Sequence, residues 1–258
     1  MEWYLYLIAI LGGALAGAIN TLAGNGSAIT LTILTEILGL PGNIANGTNR
    51  VGVLTQSVAG SWAFHKFGKL DLSRSKLNIA LTFMGAIIGV LVAIQVSNEQ
   101  FMFVFKYLML AMLVVLLVKP SRWLKETDPT AKVNLLFAIP LYLALGFYGG
   151  FIQMGMGIFY LATMVIVARY SIIEGNALKS FIVALYTLCV LGIFHYKGLV
   201  RWDLGAILAI GQTFGGWYTA TFASKFSGAN RLAYWLLVII VIAASLRLFG
   251  FAEFDFFQ

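Results

Sequence analysis

Charge is scarce in this chain, and so are proline, histidine and cysteine. Of 258 residues only 10% are charged, four are proline, two are histidine and one is cysteine. The single thiol, Cys189, lies in an apolar stretch, which excludes an intrachain disulfide and says nothing about redox compartment. One cysteine and two histidines exclude a metal-spaced cluster. There is no H-E-x-x-H, no G-x-S-x-G and no phosphate-cradling Walker loop. No catalytic constellation and no cofactor site follow from these residues, and an ATP-driven pump would need a partner chain. The opening stretch, MEWYLYLIAILGGALAGAIN, has no basic n-region, so it is expected to be a first membrane helix and not a cleaved leader.

Apolar residues are abundant instead. They make up 60% of the chain, and the mean hydropathy is +0.91. One soluble core cannot bury that much apolar surface, so the remainder must face lipid. Hydrophobic segments fall at 3–23, 27–39, 43–65, 76–96 and 99–118, then at 133–154, 158–168, 172–196, 202–226 and 229–249. Runs of this length favour helices over alternating barrel strands, and the fold class is an all-α polytopic membrane protein.

The net charge of +7 does not mark a nucleic-acid surface, because the cations sit in connectors between apolar runs. Lys66, Lys69, Arg74 and Lys76 crowd one connector, and Lys119, Arg122, Lys125 and Lys132 crowd another. Both are expected on the cytoplasmic side, as is the loop between Lys225 and Arg231. The connector SNEQ at 97–100 has no cation and the carboxyl end AEFDFFQ is acidic, so both termini are expected outside an inner (plasma) membrane. Lys197 and Arg201 then face outward with only Asp203 to balance them. The tryptophans mark membrane interfaces, His65 and His195 at segment ends read as interfacial residues and not proton relays, and Pro140 is expected to kink its segment.

The chain also matches itself. Gly24 and Gly26 break the run after the first segment, as Gly155 and Gly157 do in the second half. Gly24 and Gly155 are 131 positions apart, while Asn46 and Asn176, and His65 and His195, are 130 apart. The reading is a first repeat over 1–118, a cytoplasmic linker over 119–132 and a second repeat over 133–258. An odd number of crossings per repeat makes the two copies inverted in the membrane. Each repeat of about five segments contains one short or broken segment. Segment 27–39 would give roughly 20 Å of helix against a hydrocarbon core of about 30 Å. Paired, glycine-interrupted short segments point to a midplane site, although the sequence does not distinguish re-entrant hairpins from kinked crossings.

Two cations lie within the apolar sequence. Arg50, some eight residues into its helix, and Lys179, which aligns with Asn49, are expected to approach one site from opposite sides, where a bound anion would relieve their repulsion. The alternative is a resident acid for each, Glu36 for Arg50 and Glu174 for Lys179. Asn25, Asn46, Asn49, Gln153 and Asn176 offer amide donors suited to an oxyanion, although asparagine near a helix start is also a common cap. Asn20 and Gln56 are secondary candidates.

A glycine-broken first helix (AGAINTLAGNGS), a short segment, GLPGNIANGTNR opening the next helix, and a degenerate second copy (GGFIQMGMG, then SIIEGNALKS) resemble the sulfite exporter TauE/SafE family over roughly 11–250. The resemblance implies secondary transport of a small sulfur-containing anion such as sulfite, thiosulfate or an organosulfonate, in the export direction. Alternating access would come from rocking of the repeats. The partners implied are this anion and membrane lipid, with H+ or Na+ coupling, or potential-driven flux, all compatible with Glu36, Glu174 and the histidines. An anion channel, a carrier of another small organic anion and a lipid-binding scaffold are the alternatives. Glycine-rich faces serve internal packing as readily as self-association, which leaves subunit number open.

Overall fold

The structure, a computed structural model, describes residues 3–117, 134–222 and 229–250. Its elements are all helical: α1 Trp3–Ala23, α2 Gly26–Thr32, α3 Gly42–Lys66, α4 Lys76–Ala93 and α5 Asn98–Leu117, then α6 Leu135–Phe151, α7 Met156–Ile166, α8 Ile172–Tyr196, α9 Trp202–Phe222 and α10 Ala229–Leu248. The linker expected over 119–132 and the acidic carboxyl end lie outside the described residues, as does most of the loop between Lys225 and Arg231. Among the described residues, four helical stretches are long and apolar enough to cross a membrane: Trp3–Thr21, Ser73–Ala93, Asn98–Val115 and Ile172–Tyr196. α3 is 25 residues long, but its amide- and glycine-rich first half is buried among other helices, which is why it is less apolar than a lipid-facing span.

Both short segments fold back on the helix before them, which settles the choice the sequence left open. At the first break Gly24 takes a left-handed φ of 75°, and α2 returns along α1 so that Gly26 meets the Ala16 carbonyl and Ile33 meets Gly12. α2 then runs into a π-helical turn, Ile33–Ile37, closed by Leu38 N–H donating to the Ile33 carbonyl at 2.9 Å. At the second break Gln153 and Gly155 have φ of 65° and 73°. The Tyr148 hydroxyl donates to the Met154 carbonyl, and Phe159 on α7 packs edge-on to Tyr148 on α6, ring centroids 6.1 Å apart. The two tips touch: the Gly24 backbone lies directly against Gly157, with no side chain between them. Gly24→Ala adds a Cβ both to a left-handed residue and to this contact. It is expected to cost about 1–3 kcal/mol of stability, read as a lowered thermal midpoint in detergent.

Helix pairing inside a bilayer relies on close approach and not on expulsion of water, and small residues supply that approach. Gly13 and Gly17 of α1 face the backbone of Leu208 and Gln212 on α9, while Gly211 and Gly215 of α9 face the Ile10 and Ala14 carbonyls. The α4–α6 pair is built the same way, with Gly85 and Gly89 on the Leu143 and Phe147 carbonyls and Gly146 and Gly150 on those of Thr82 and Ala86. Two apolar cores result. One joins α1, α2 and α5 to α9 and α10, and the other joins α4 to α6, α7 and α8. Each hairpin is thus packed on a helix from the other half of the chain. α3 and α8 run antiparallel between the cores, Gly47 meeting Phe194 at one end and Gly60 meeting Ser180 at the other.

Large apolar side chains such as Leu136, Phe137, Leu188, Ile210 and Phe214 are exposed around the outside, as are Trp3, Trp62, Trp202 and Trp235. His195 is also exposed and accepts from Trp202 Nε1 at 3.0 Å. Arg201 is held by Asp203 through Nε–Oδ1 at 3.0 Å and Nη2–Oδ2 at 2.6 Å, which offsets one of the two cations that end carries. In the connector before α4, Asp71 accepts from the Ser73 hydroxyl and amide at 2.6 and 2.8 Å, and these bonds hold its carboxyl below the ordinary aspartate range.

Candidate functional site

α3 carries Asn46 and Arg50 one turn apart on one face, near its Gly42 end. The opposing surface is the C-terminus of α6, whose last carbonyls have no intrahelical partner because the chain breaks at Ile152 and Gln153. Arg50 fills them. Its Nη1 donates to the Gly149 carbonyl at 2.6 Å and to Gln153 Oε1 at 2.5 Å, and its Nη2 donates to the Gly150 carbonyl at 3.0 Å and Asn46 Oδ1 at 3.3 Å. Asn46 Nδ2 takes the next carbonyl, Phe151, at 2.7 Å. The guanidinium is fully buried and lies over the Phe194 ring, 5.8 Å from its centroid. Its four partners are carbonyl and amide oxygens, none of them a carboxylate. The negative end of a helix dipole supplies the complementary charge. Only Nε–H is left without an acceptor.

Lys179 is placed differently. It is 7% exposed on α8, and its Nζ donates to Asn176 Oδ1 at 2.8 Å, its one hydrogen-bond partner among the described residues. An ammonium has three donors, so two remain to be used. Glu174, the acid the sequence offered for it, is occupied elsewhere: it completes a capping box with Ser171, accepting from that residue's amide at 3.0 Å and hydroxyl at 2.9 Å. Lys179 and Asn176 instead line a narrow polar cavity of about 40 Å³ between α1, α3, α8, α9 and the hairpin tips. The cavity follows α3 from Gln56 to Phe64, toward its Lys66 end. Asn20, Thr21 and Gly24 form the facing wall, and Ser57, Ser180 and Gln153 complete the polar lining.

Of the residues singled out from the sequence, the cavity thus brings together Lys179, Asn176 and Gln153. Arg50 and Asn46 stand behind it, joined to it through Gln153, whose Oε1 accepts from Arg50 while the side chain lines the cavity wall. Asn49 is fully buried as a tie between helices, accepting from Thr30 Oγ1 at 2.6 Å and Gln212 Nε2 at 3.5 Å. Asn25 sits at the first break, fully buried, and among the described residues neither of its amide atoms has a partner. The secondary candidates Asn20 and Gln56 both reach the cavity and bond to each other at 3.3 Å. Thr21, Ser57 and Ser180 were missed, because a membrane hydroxyl gives no distinct sequence signal when it can return to its own helix. Ser180 does so, donating to the Asn176 carbonyl at 3.0 Å. Removing a cavity amide with Asn176→Ala is expected to weaken any anion-dependent thermal stabilisation by roughly five- to tenfold in midpoint concentration, the scale of about 1–1.5 kcal/mol for one hydrogen bond.

Comparison with known proteins identifies the family. The model of the family described as sulfite exporter TauE/SafE matches residues 9–248. The chain is 26% identical over 249 residues to the probable membrane transporter protein ORF9 of a Sinorhizobium species, covering 96% of this chain and 94% of that one. It is 29% identical over 202 residues to the probable membrane transporter protein YfcA of Escherichia coli K12, covering 78% and 74%. A probable membrane transporter protein of Haemophilus influenzae is 26% identical over 212 residues, covering 81% and 82%. No solved structure matches. A match across nearly the whole length, on a helical chain with several spans and a polar cavity between two cores, places the chain in the sulfite exporter TauE/SafE family of membrane transporters.

Proposed function

We propose that this transporter moves a small sulfur-containing anion, of the size of sulfite or thiosulfate, as a secondary carrier working by alternating access, with export as its direction. The observation that carries the reading is Lys179: a nearly buried ammonium in a polar cavity whose one hydrogen-bond partner among the described residues is an amide oxygen. Holding such a charge out of water costs several kcal/mol unless a partner neutralises it. An oxyanion accepting from Lys179, and from the amide groups of Asn176 and Gln153, offsets that cost. A cavity of about 40 Å³ has room for about three waters, close to the bulk of a four- or five-atom oxyanion.

The proposal includes the membrane arrangement. Residues 1–118 and 133–258 are two inverted repeats, with both termini outside an inner membrane and the Lys66–Lys76 connector inside. Its support is the correspondence of parts: Gly24 and Gly155 share the same left-handed backbone, and the two glycine-lined pairs, α1 with α9 and α6 with α4, exchange places when the halves are exchanged. On this orientation the cavity opens toward the cytoplasm, since it runs along α3 toward Lys66.

Proteoliposomes loaded with sulfite or thiosulfate test the function. Saturable counterflow of labelled anion, altered by an imposed pH or sodium gradient if either ion is coupled, is the expected result. Flux without counterflow would replace the carrier with a channel, and no flux with any of sulfite, thiosulfate, sulfonates or carboxylates would end the anion reading.

A further inference from the structure

Arg50 and Lys179 occupy corresponding faces of the antiparallel helices α3 and α8. Each follows an asparagine, Asn46 or Asn176, and spacings of four and three place each pair on one helix face. Their surroundings are opposite. The Asn46–Arg50 pair grips three successive carbonyls, Gly149, Gly150 and Phe151, at the end of α6. Among the described residues, the Asn176–Lys179 pair grips no backbone. Across the cavity it faces the last turn of α1, at Asn20 and Thr21, where another helix ends at a glycine-broken tip: the Gly24 amide takes the Asn20 carbonyl at 3.0 Å, and the carbonyls from Thr21 onward have no partner within the helix. One cation is clamped to a helix end. The other stands open to one, and the cavity is the gap between them.

Resting on the carrier reading above, we infer that the two pairs are alternating latches. Asn46–Arg50 closes the Gly42 end of the site by holding α6, and Asn176–Lys179 closes the Lys66 end by holding α1 when the first latch lets go. Helix carbonyls and cargo compete for the same cation. In the conformation described, Lys179 is open to the anion while Arg50 is engaged by α6; in the opposite conformation the roles exchange, so the anion meets one cation at a time. A carboxylate partner would hold Arg50 permanently, whereas a helix end releases it when the hairpin withdraws. Gln153, bonded to Arg50 and exposed to the cavity, lies where one event reaches the other.

Two thiol reporters in a Cys189→Ser background read the latches without any transport step: Ile152→Cys, fully buried beside the gripped carbonyls, and Ser180→Cys in the cavity wall. The rate of reaction of purified protein with a small thiol reagent, methyl methanethiosulfonate, is measured for each. Without further change Ser180→Cys is expected to react fast and Ile152→Cys slowly. Adding Arg50→Gln should raise the Ile152→Cys rate by roughly tenfold and lower the Ser180→Cys rate in step, a size typical of coupled equilibria. Asn46→Ala, a milder loss of the same grip, should move both reporters the same way by less, and Lys179→Gln should leave Ile152→Cys slow. The latches are overturned if neither Arg50→Gln nor Asn46→Ala produces the reciprocal shift, or if both reporters speed up together, which marks loosening and not exchange. Counterflow by the unaltered chain is measured in parallel: its absence beside a reciprocal shift would sink the carrier reading alone, and counterflow without the shift would sink the latches alone.

Discussion

Gly150→Val is expected to lower the thermal midpoint of the purified protein by about 10 °C or to prevent recovery of folded protein. Gly150 lies on α6 where that helix crosses α4, and a side chain there would overlap the Ala86 carbonyl group, which is backbone and has no rotamer to change. Overpacking a well-filled interface costs about 1–3 kcal/mol and more when main chain must move. For a chain of this length each kcal/mol is worth roughly 2–4 °C. The same argument holds for Gly89 on the facing helix and for Gly211 and Gly215 at the α1–α9 crossing, all of which face carbonyl groups. Gly192 supplies the control. It is exposed on α8 with nothing within 4 Å of an added Cβ, so Gly192→Ala is expected to be neutral or to stabilise by up to about 1 kcal/mol through helix propensity. Equal sensitivity at 150 and 192, measured side by side by thermal unfolding in detergent, would contradict the assembly described for the two crossings.

The second large effect is expected at Lys179. Lys179→Gln keeps a hydrogen-bonding side chain of similar reach but removes the charge, so the folded protein should survive. Its intrinsic stability should even rise slightly, because a nearly buried ammonium no longer has to be held out of water. Affinity for the anion should fall by about 100-fold, the loss of a charge-assisted hydrogen bond worth about 1.5–3 kcal/mol in a site shielded from water. Two measurements check this: the concentration of sulfite or thiosulfate that raises the thermal midpoint half-maximally, and counterflow in proteoliposomes. A variant that binds and carries the anion as well as the original chain would remove Lys179 from the site. Lys179→Arg is informative beside it. The guanidinium keeps the charge but is wider, in a cavity of about 40 Å³, so binding should be restored in part and size selectivity should change.

Much of this was legible before any coordinates. Hydrophobic run lengths placed the helices to within a few residues, because in lipid the backbone must satisfy itself and little except a helix can fill such a run. The glycines at 24 and 155 marked the breaks correctly, since only a residue without Cβ takes a left-handed φ at no cost. Lys179, Asn176 and Gln153 stood out as polar groups where polar groups are expensive, and they line one cavity. Arg50 stood out for the same reason, but its partners did not. The acceptors Gly149 and Gly150 are backbone carbonyls, about one hundred positions away in the chain, and every residue carries a carbonyl. Nothing in the residue types at 149–151 announces that a helix ends there facing α3. Glu174 misled in the complementary way. It lies close to Lys179 in sequence, yet a serine three residues before it and the start of α8 claim it as a cap. Local chemistry was readable, and chemistry assembled by folding back was not.

The contact between Gly24 and Gly157 has a mechanical meaning. Where two hairpins meet through side chains, a small displacement of one is absorbed by torsional adjustment, and the other stays where it was. Here peptide plane rests on peptide plane, so there is no compliant layer between the tips. A push on either is delivered to the other as translation, and this rigid junction falls at a place where the sequence has little bulk.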